Sequence, residues 1–168
     1  MNKIKSLYDL FISEIKDLYD AEGQLVKAIP AMVAAAEAPE LKSAFSTHLA
    51  ATKIHLTRLE NILKAHNEPV KGKHCAAMEG LIKECTEMVK EDAEPTVRDA
   101  GLIACAQRVE HYEIAGYGCV RTFAKVLGFN ECSEHLQKTL DEEIETDLAL
   151  TDLATSLINI EAANTAQD

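Results

Sequence analysis

The 168-residue chain suits a single domain, residues 1–168, that can bury a core and one internal site. Apolar residues make up 47% and aromatic residues only 5%, and Ala, Leu, Glu and Lys recur, a mixture that favours an all-α fold over a sheet. The formal net charge of −11 excludes nucleic acid and anionic membrane surfaces as expected partners, because both are themselves negatively charged.

The N-terminal residues MNKIKSLYDLF have neither the long apolar core nor the small-residue cleavage site of a signal peptide. No stretch of the chain approaches the roughly 18 uninterrupted apolar residues that span a bilayer. We therefore expect a cytoplasmic protein with no membrane partner. The five cysteines include no Cys-x-x-Cys pair, so free thiols are expected in the reducing cytosol, with Cys105 and Cys119 buried as small apolar residues.

Helical periodicity, interrupted at three places, predicts five helices. The first contains Pro30, which should kink or interrupt it. In chain order the predicted helices span about 3–36, 40–66, 75–92, 97–127 and 131–160.

Two short turns and one long connection define the expected topology. Helices separated by EAPE (37–40) or by GFNE (128–131) should form antiparallel hairpins. The crossover of about 67–96, with its own short helix, is long enough to run the length of a bundle. Two antiparallel hairpins joined by one such crossover are the connectivity of a ferritin-like four-helix bundle.

Each long helix carries polar residues on its apolar stripe, where Leu would be expected. In chain order these residues are Glu22, His48, Thr52, His55, Glu110, Glu113, Glu143 and Asp147.

The depth of these residues in the bundle is the sharper test. Glu22 and His55 lie equally far from the EAPE turn, and Glu113 and Glu143 lie equally far from Gly128. Each lies about 15–17 residues from its turn, which is about 22–25 Å along a helix. All four long helices should therefore contribute to one polar layer.

Several buried carboxylates in one layer would repel one another unless a positive charge lay between them. The apolar stripes carry neither Lys nor Arg near this depth, so a pair of divalent metal ions is the simpler answer. Oxygen ligands with one or two imidazoles suit iron, or manganese, better than a structural zinc. The candidate ligands are Glu22, His48, His55, Glu110, Glu113, Glu143 and Asp147.

Three assignments stay open at this point. Asp147 could be a ligand or could hydrogen-bond to one. His55 has the right depth, but a kink at Pro30 would shift the register and favour His48. Tyr117, one turn beyond Glu113, could shield the metals or relay an electron, although core packing is the favoured role.

Four runs of the chain resemble the YciE/YciF family of bacterial stress proteins, in the ferritin-like superfamily. They are AEGQLVKAIPAM at 21–32, HLAAT at 48–52, RDAGLIACAQRVEHYEIAGYG at 98–118 and LDEEIETDLALTDLA at 140–154. The resemblance covers nearly the whole chain, and it implies a homodimeric four-helix bundle with a dinuclear metal site and a link to osmotic, envelope or general stress.

The family's polar positions are matched by Glu22, His48, Glu110, Glu113 and Glu143. Two features depart from related patterns. The family often has Glu where this chain has Ala51, and the Glu-x-x-His signature of typical di-iron ferritins appears here as Thr52-x-x-His55 and Glu143-x-x-Thr146. Iron oxidation therefore does not follow from the resemblance alone.

Two functions fit these observations. The first is a di-iron site that reacts with oxygen or hydrogen peroxide, in the manner of an oxidase, a peroxidase or a ferroxidase. The second is a non-enzymatic stress-response protein, structural or partner-binding, whose metal only stabilises the fold. The sequence leaves the native metal, the reductant or substrate, and turnover at the site open.

Overall fold

The structure, a computed structural model, describes residues 4–165, and every regular element within that range is helical. The elements are α1 (Leu7–Ala35), α2 (Pro39–Ala65), α3 (Ala76–Lys90), α4 (Pro95–Val126), α5 (Asn130–Leu153), a π-helical turn (Ala154–Ile158) and α6 (Asn159–Thr165). The predicted all-α fold is confirmed. The predicted start of the first helix at residue 3 lies outside the described residues.

Pro30 does not interrupt α1, contrary to the expectation from its missing N–H group. Its neighbours Ile29 and Met32 are both buried, so packing holds this turn in the helix. At the other end of the helix, the Ser6 hydroxyl caps α1 by accepting a hydrogen bond of 3.0 Å from the Asp9 backbone N–H.

The helices pack as two antiparallel hairpins, α1 with α2 and α4 with α5, and the hairpins contact each other through α1–α4 and α2–α5. Gly128 ends α4 with a φ of +79°, a left-handed conformation that an L side chain would strain, and so permits the tight turn into α5. The crossover returns along the bundle and places α3 against α1 and α4. Among the described residues, no helix is both long and apolar enough to cross a membrane.

The crossover is fixed to the bundle by hydrogen bonds at the start of α3. The Cys75 backbone N–H donates to Asp20 Oδ2 at 2.9 Å, and its thiol lies 2.9 Å from the hydroxyl of Tyr112. Tyr112 in turn donates to Asp17 Oδ2 at 2.8 Å. These contacts join α1, α3 and α4 beside the centre of the bundle.

The apolar core is divided into two clusters along the bundle axis. One cluster includes Leu25 and Val109, and the other includes Leu18 and Tyr117. Between these positions α1 and α4 carry the buried carboxylates of Glu22, Glu110 and Glu113, so a polar layer separates the two clusters.

Candidate metal centre

Six buried ionisable side chains from α1, α2, α4 and α5 meet in this layer. They form two groups that share Glu143, and within each group one potential ligand atom from every residue lies within 4.8 Å of the others. The first group is His48, Glu110, Glu113 and Glu143, and the second is Glu22, His55 and Glu143. The side chains that sequence depth placed at one level are thus brought together.

Most of the polar atoms in the layer have no hydrogen-bond partner. Both carboxylate oxygens of Glu113 and Glu143, and both ring nitrogens of His48, are buried without a hydrogen bond, although His48 Nε2 lies 3.3 Å from Glu110 Oε1. His55 Nδ1 lies 2.8 Å from Glu143 Oε1 and 3.5 Å from Glu22 Oε1, yet it makes no aligned hydrogen bond. Each orphaned group would cost about 1–3 kcal/mol. A divalent cation bound by these lone pairs would remove that cost, so the donor set fits a metal.

Burial changes the pKa values of these groups in the direction that disfavours charge. It raises the pKa of Glu22 to about 7, and it raises the pKa of Glu113 well above its usual range, with the nearby Glu143 adding to both. It lowers the pKa of His48. Burial also acts to lower the pKa of His55, but the adjacent carboxylates of Glu143 and Glu22 outweigh it and raise that pKa to about 10.

Tyr117 is fully buried beside the second group and donates a hydrogen bond to Glu22 Oε1. Its ring also lies at the edge of the His55 ring, with centroids 6.3 Å apart. Burial raises the pKa of Tyr117 well above its usual range, so the phenol stays protonated and remains a donor. The expected core position is therefore also a hydrogen-bonding position.

On the outer side of His55, Nε2 lies 2.9 Å from Glu142 Oε2. Arg58 Nη2 donates to Glu142 Oε1 at 3.0 Å, and Arg58 Nη1 donates to Thr139 Oγ1 at 3.0 Å. The Arg58 guanidinium holds the pKa of Glu142 below its usual range, so this carboxylate stays ionised and accepts a hydrogen bond from Nε2–H of His55. The contact orients the ring with Nδ1 facing the cluster. The sequence interpretation missed both residues, although Arg58 lies one turn beyond His55.

The structure does not bring Asp147 into either group. Its carboxylate accepts a hydrogen bond of 3.1 Å from Gln107 Nε2 and lies 3.4 Å from Nε2 of His111, which is exposed. Both histidines that the sequence left as alternatives lie at the cluster, one in each group. Thr52 is buried beside them and donates to the His48 carbonyl at 2.9 Å.

The chain is similar to known proteins over most of its length. Residues 6–163 match the family described as a domain of unknown function, DUF892. The chain is 42% identical to protein YciF of Escherichia coli strain K12 over 164 residues, which are 97% of this chain and 99% of YciF.

Solved structures show the same similarity. The crystal structure of the E. coli stress protein YciF has a TM-score of 0.89 at 41% identity, covering 93% of this chain and 99% of that one. YcfI from Rhodopseudomonas palustris has a TM-score of 0.86 at 37% identity, covering 89% and 96%. A protein from Xanthomonas campestris pv. campestris, 20% identical with a TM-score of 0.72 and covering 96% and 99%, shares the fold.

Proposed function

The chain belongs to the YciE/YciF family, described as DUF892, and we propose that it is a stress-associated protein with a metal site in its bundle core. In this proposal the site holds two divalent metal ions, primarily iron, which react with oxygen or hydrogen peroxide. The observation that carries this proposal is the pair of buried ligand groups that share Glu143. The stress association rests on YciF, which is described as a stress protein.

The residues divide between two positions. His48, Glu110 and Glu113 would hold one ion and Glu22 and His55 the other, and the Glu143 carboxylate would serve both. Oxygen and imidazole donors without thiolate suit iron or manganese. Bound iron would supply the electron transfer that reduction of oxygen or peroxide requires.

The chain's own residues set the conditions for this chemistry. The four carboxylates carry together four negative charges when ionised, which balances two divalent ions in a layer that excludes water. Tyr117 donates a hydrogen bond to Glu22 Oε1, and Glu142, itself held by Arg58, fixes the orientation of the His55 ring.

The test is anaerobic loading of the metal-free protein with Fe(II), followed by metal analysis and exposure to oxygen or peroxide. We expect about two iron ions per chain and an oxidant-dependent absorbance change. Glu113→Gln keeps the shape but removes the charge of a ligand in one group, so it should bind at most one iron ion per chain and lose the absorbance change. Glu145→Gln on the exposed side of α5 is the matched control and should keep both the two ions and the absorbance change. Wild-type protein that retains no iron after gel filtration would refute the proposal.

A structural role for the metal is the second candidate function. Ligands from α1, α2, α4 and α5 would join the two hairpins through the ions, which favours a stabilising role independent of turnover. Under this alternative, Fe(II) or Mn(II) raises the melting temperature, but repeated additions of peroxide are not consumed above the rate of free metal. Catalytic consumption that Glu113→Gln abolishes would reject the purely structural role.

A further inference from the structure

A second chemically distinctive place lies at the contact between α3 and α4. Cys85 on α3 and Cys105 on α4 are free thiols, both buried in the same apolar cluster. Neither residue belongs to the groups of potential metal ligands found among residues 4–165. The pair is therefore separate from the candidate metal centre.

The register of the two helices explains why the thiols meet. A Cβ atom added to Gly101 would lie only 2.4 Å from Met88 Sδ, so the absence of a side chain lets α3 and α4 approach closely. One turn onward along α4 and one turn back along α3 stand Cys105 and Cys85. The next turn on α4 brings Arg108, whose Nη1 lies 3.6 Å from Glu84 Oε2. These successive contacts place the two cysteines at one level on antiparallel helices.

The surroundings of the pair favour one thiolate and one thiol. The interaction with Cys85 lowers the pKa of Cys105 to about 7 although burial opposes it, and the charge of Arg108 acts in the same direction. Arg108 Nη1 lies 3.9 Å from Cys105 Sγ. The same interaction, together with burial, raises the pKa of Cys85.

A small cavity borders one member of the pair, Cys85. It has a volume of about 40 Å³ and is lined by Cys85 together with apolar residues that include Leu25, Met32 and Val109. A single water needs about 10–15 Å³ on this measure, so the cavity has room for a molecule as small as hydrogen peroxide.

We propose that Cys85 and Cys105 are a redox-active dithiol that hydrogen peroxide oxidises to an intramolecular disulfide joining α3 to α4. The Cys105 sulfur bonds to one peroxide oxygen as the O–O bond breaks, and the leaving hydroxide takes a proton to become water. The Cys85 sulfur then bonds to the Cys105 sulfur, the S–O bond of the sulfenic acid breaks, and a second water leaves with the Cys85 proton. Two thiols lose two electrons, and one peroxide gains them.

The test uses the full-length, fully reduced, metal-free chain treated with hydrogen peroxide. We expect the thiol count to fall from five to three and peptide mapping to recover a Cys85–Cys105 link within one chain. Cys119→Ser, at an exposed cysteine, should form the same link. Cys85→Ser should stop at a sulfenic acid on Cys105 that dimedone traps, and Cys105→Ser should form no link.

Because the protein is metal-free, this result is independent of chemistry at the candidate metal centre. Retention of all five thiols would overturn the proposal, as would a disulfide confined to other cysteines such as Cys119. The wild-type peptide map decides the question even if a serine variant folds poorly.

Discussion

At the scale of single residues, the orientation of His55 depends on a carboxylate that does not itself enter the cluster. Glu142 accepts from Nε2 at 2.9 Å and is itself held by Arg58. The raised pKa of His55 keeps both ring nitrogens protonated in the metal-free protein at neutral pH. A bound metal would displace the Nδ1 proton, and the contact with Glu142 would then keep the remaining proton on Nε2 and leave the Nδ1 lone pair facing Glu22 and Glu143. The orientation of the His55 ring is thus set partly from the outer side of the cluster.

We therefore predict that Glu142→Ala weakens binding of Fe(II) or Mn(II) by about 10- to 100-fold, the usual effect of removing such a partner. Isothermal titration of metal-free protein measures the change. Glu145→Ala, three residues further along α5 and exposed, should bind as the wild type does. Equal affinities for both variants would mean that Glu142 does not orient His55.

The pKa shifts in the cluster also predict how metal-free stability depends on pH. The pKa of Glu22 is raised from 4.5 to about 7 by burial, so its contribution to stability is fully present below about pH 4.5 and is lost as the pH rises through 7. The raised pKa of His55 acts in the same direction at higher pH.

Between about pH 5.5 and pH 8, Glu22 alone should cost the metal-free protein about 2 kcal/mol of unfolding free energy. Urea titrations in the presence of a chelator measure this loss. In Glu22→Gln, which cannot ionise, the loss should be smaller by that amount. A wild-type stability that rises over the same interval relative to this variant would contradict the assignment.

At the scale of the helices, sequence periodicity and equal distance from the turns predicted the layer because both depend only on regular α-helical geometry. That is why Glu22, Glu113 and Glu143 were found. The sequence did not identify Glu142, because this residue lies next to the buried Glu143 on a face of α5 whose pattern indicates exposure to solvent. Only its contact with Arg58 in the folded structure gives it a role. Cys119 was wrongly expected to be buried, because its stretch of α4 is partly exposed.

Asp147 shows the same limit of helical periodicity, because it follows Glu143 by one turn but is held at the edge of the layer by Gln107. The position of α3 against the bundle could not be predicted from the sequence either. Its register against α4 is set by the close approach at Gly101, which no periodic pattern encodes.

The junction between α4 and the α1–α2 turn yields a third prediction. Asp99, a buried carboxylate outside the polar layer, accepts hydrogen bonds of 2.8 Å from Glu37 N and 2.7 Å from Ala38 N. It thereby satisfies two backbone donors beside the start of α2, where Ala38 has no side-chain cap.

Asp99→Ala should lower the unfolding free energy by about 2–4 kcal/mol, because it leaves both N–H groups unpaired in a partly buried turn. Chemical denaturation of the metal-free protein measures the loss. Asp92→Ala, at an exposed position before α4, is the control and should change stability little. A loss confined to metal affinity would instead place Asp99 in the support of the metal centre.

At the scale of the whole molecule, the polar layer divides the apolar core into two clusters. Without a counter-charge, this layer is the least favourable section of the bundle, because it buries carboxylates with unpaired oxygens. With ions bound by all four long helices, the same layer would become a cross-link between the hairpins. We therefore expect bound metal to raise the unfolding free energy of the protein strongly.

Glu143 belongs to both ligand groups and so offers the decisive substitution. Glu143→Leu keeps a similar volume and removes one of four buried carboxylates that repel one another, while Glu22 and Glu142 still contact His55, so the metal-free variant should melt at or above the wild-type temperature. The wild type should gain about 2.7 kcal/mol when Mn(II) exceeds its dissociation constant 100-fold, whereas the variant should gain almost nothing. Calorimetry with and without Mn(II) measures both effects. An equal gain in Glu143→Leu would place the stabilising metal elsewhere, because this substitution removes the one ligand that joins the two groups.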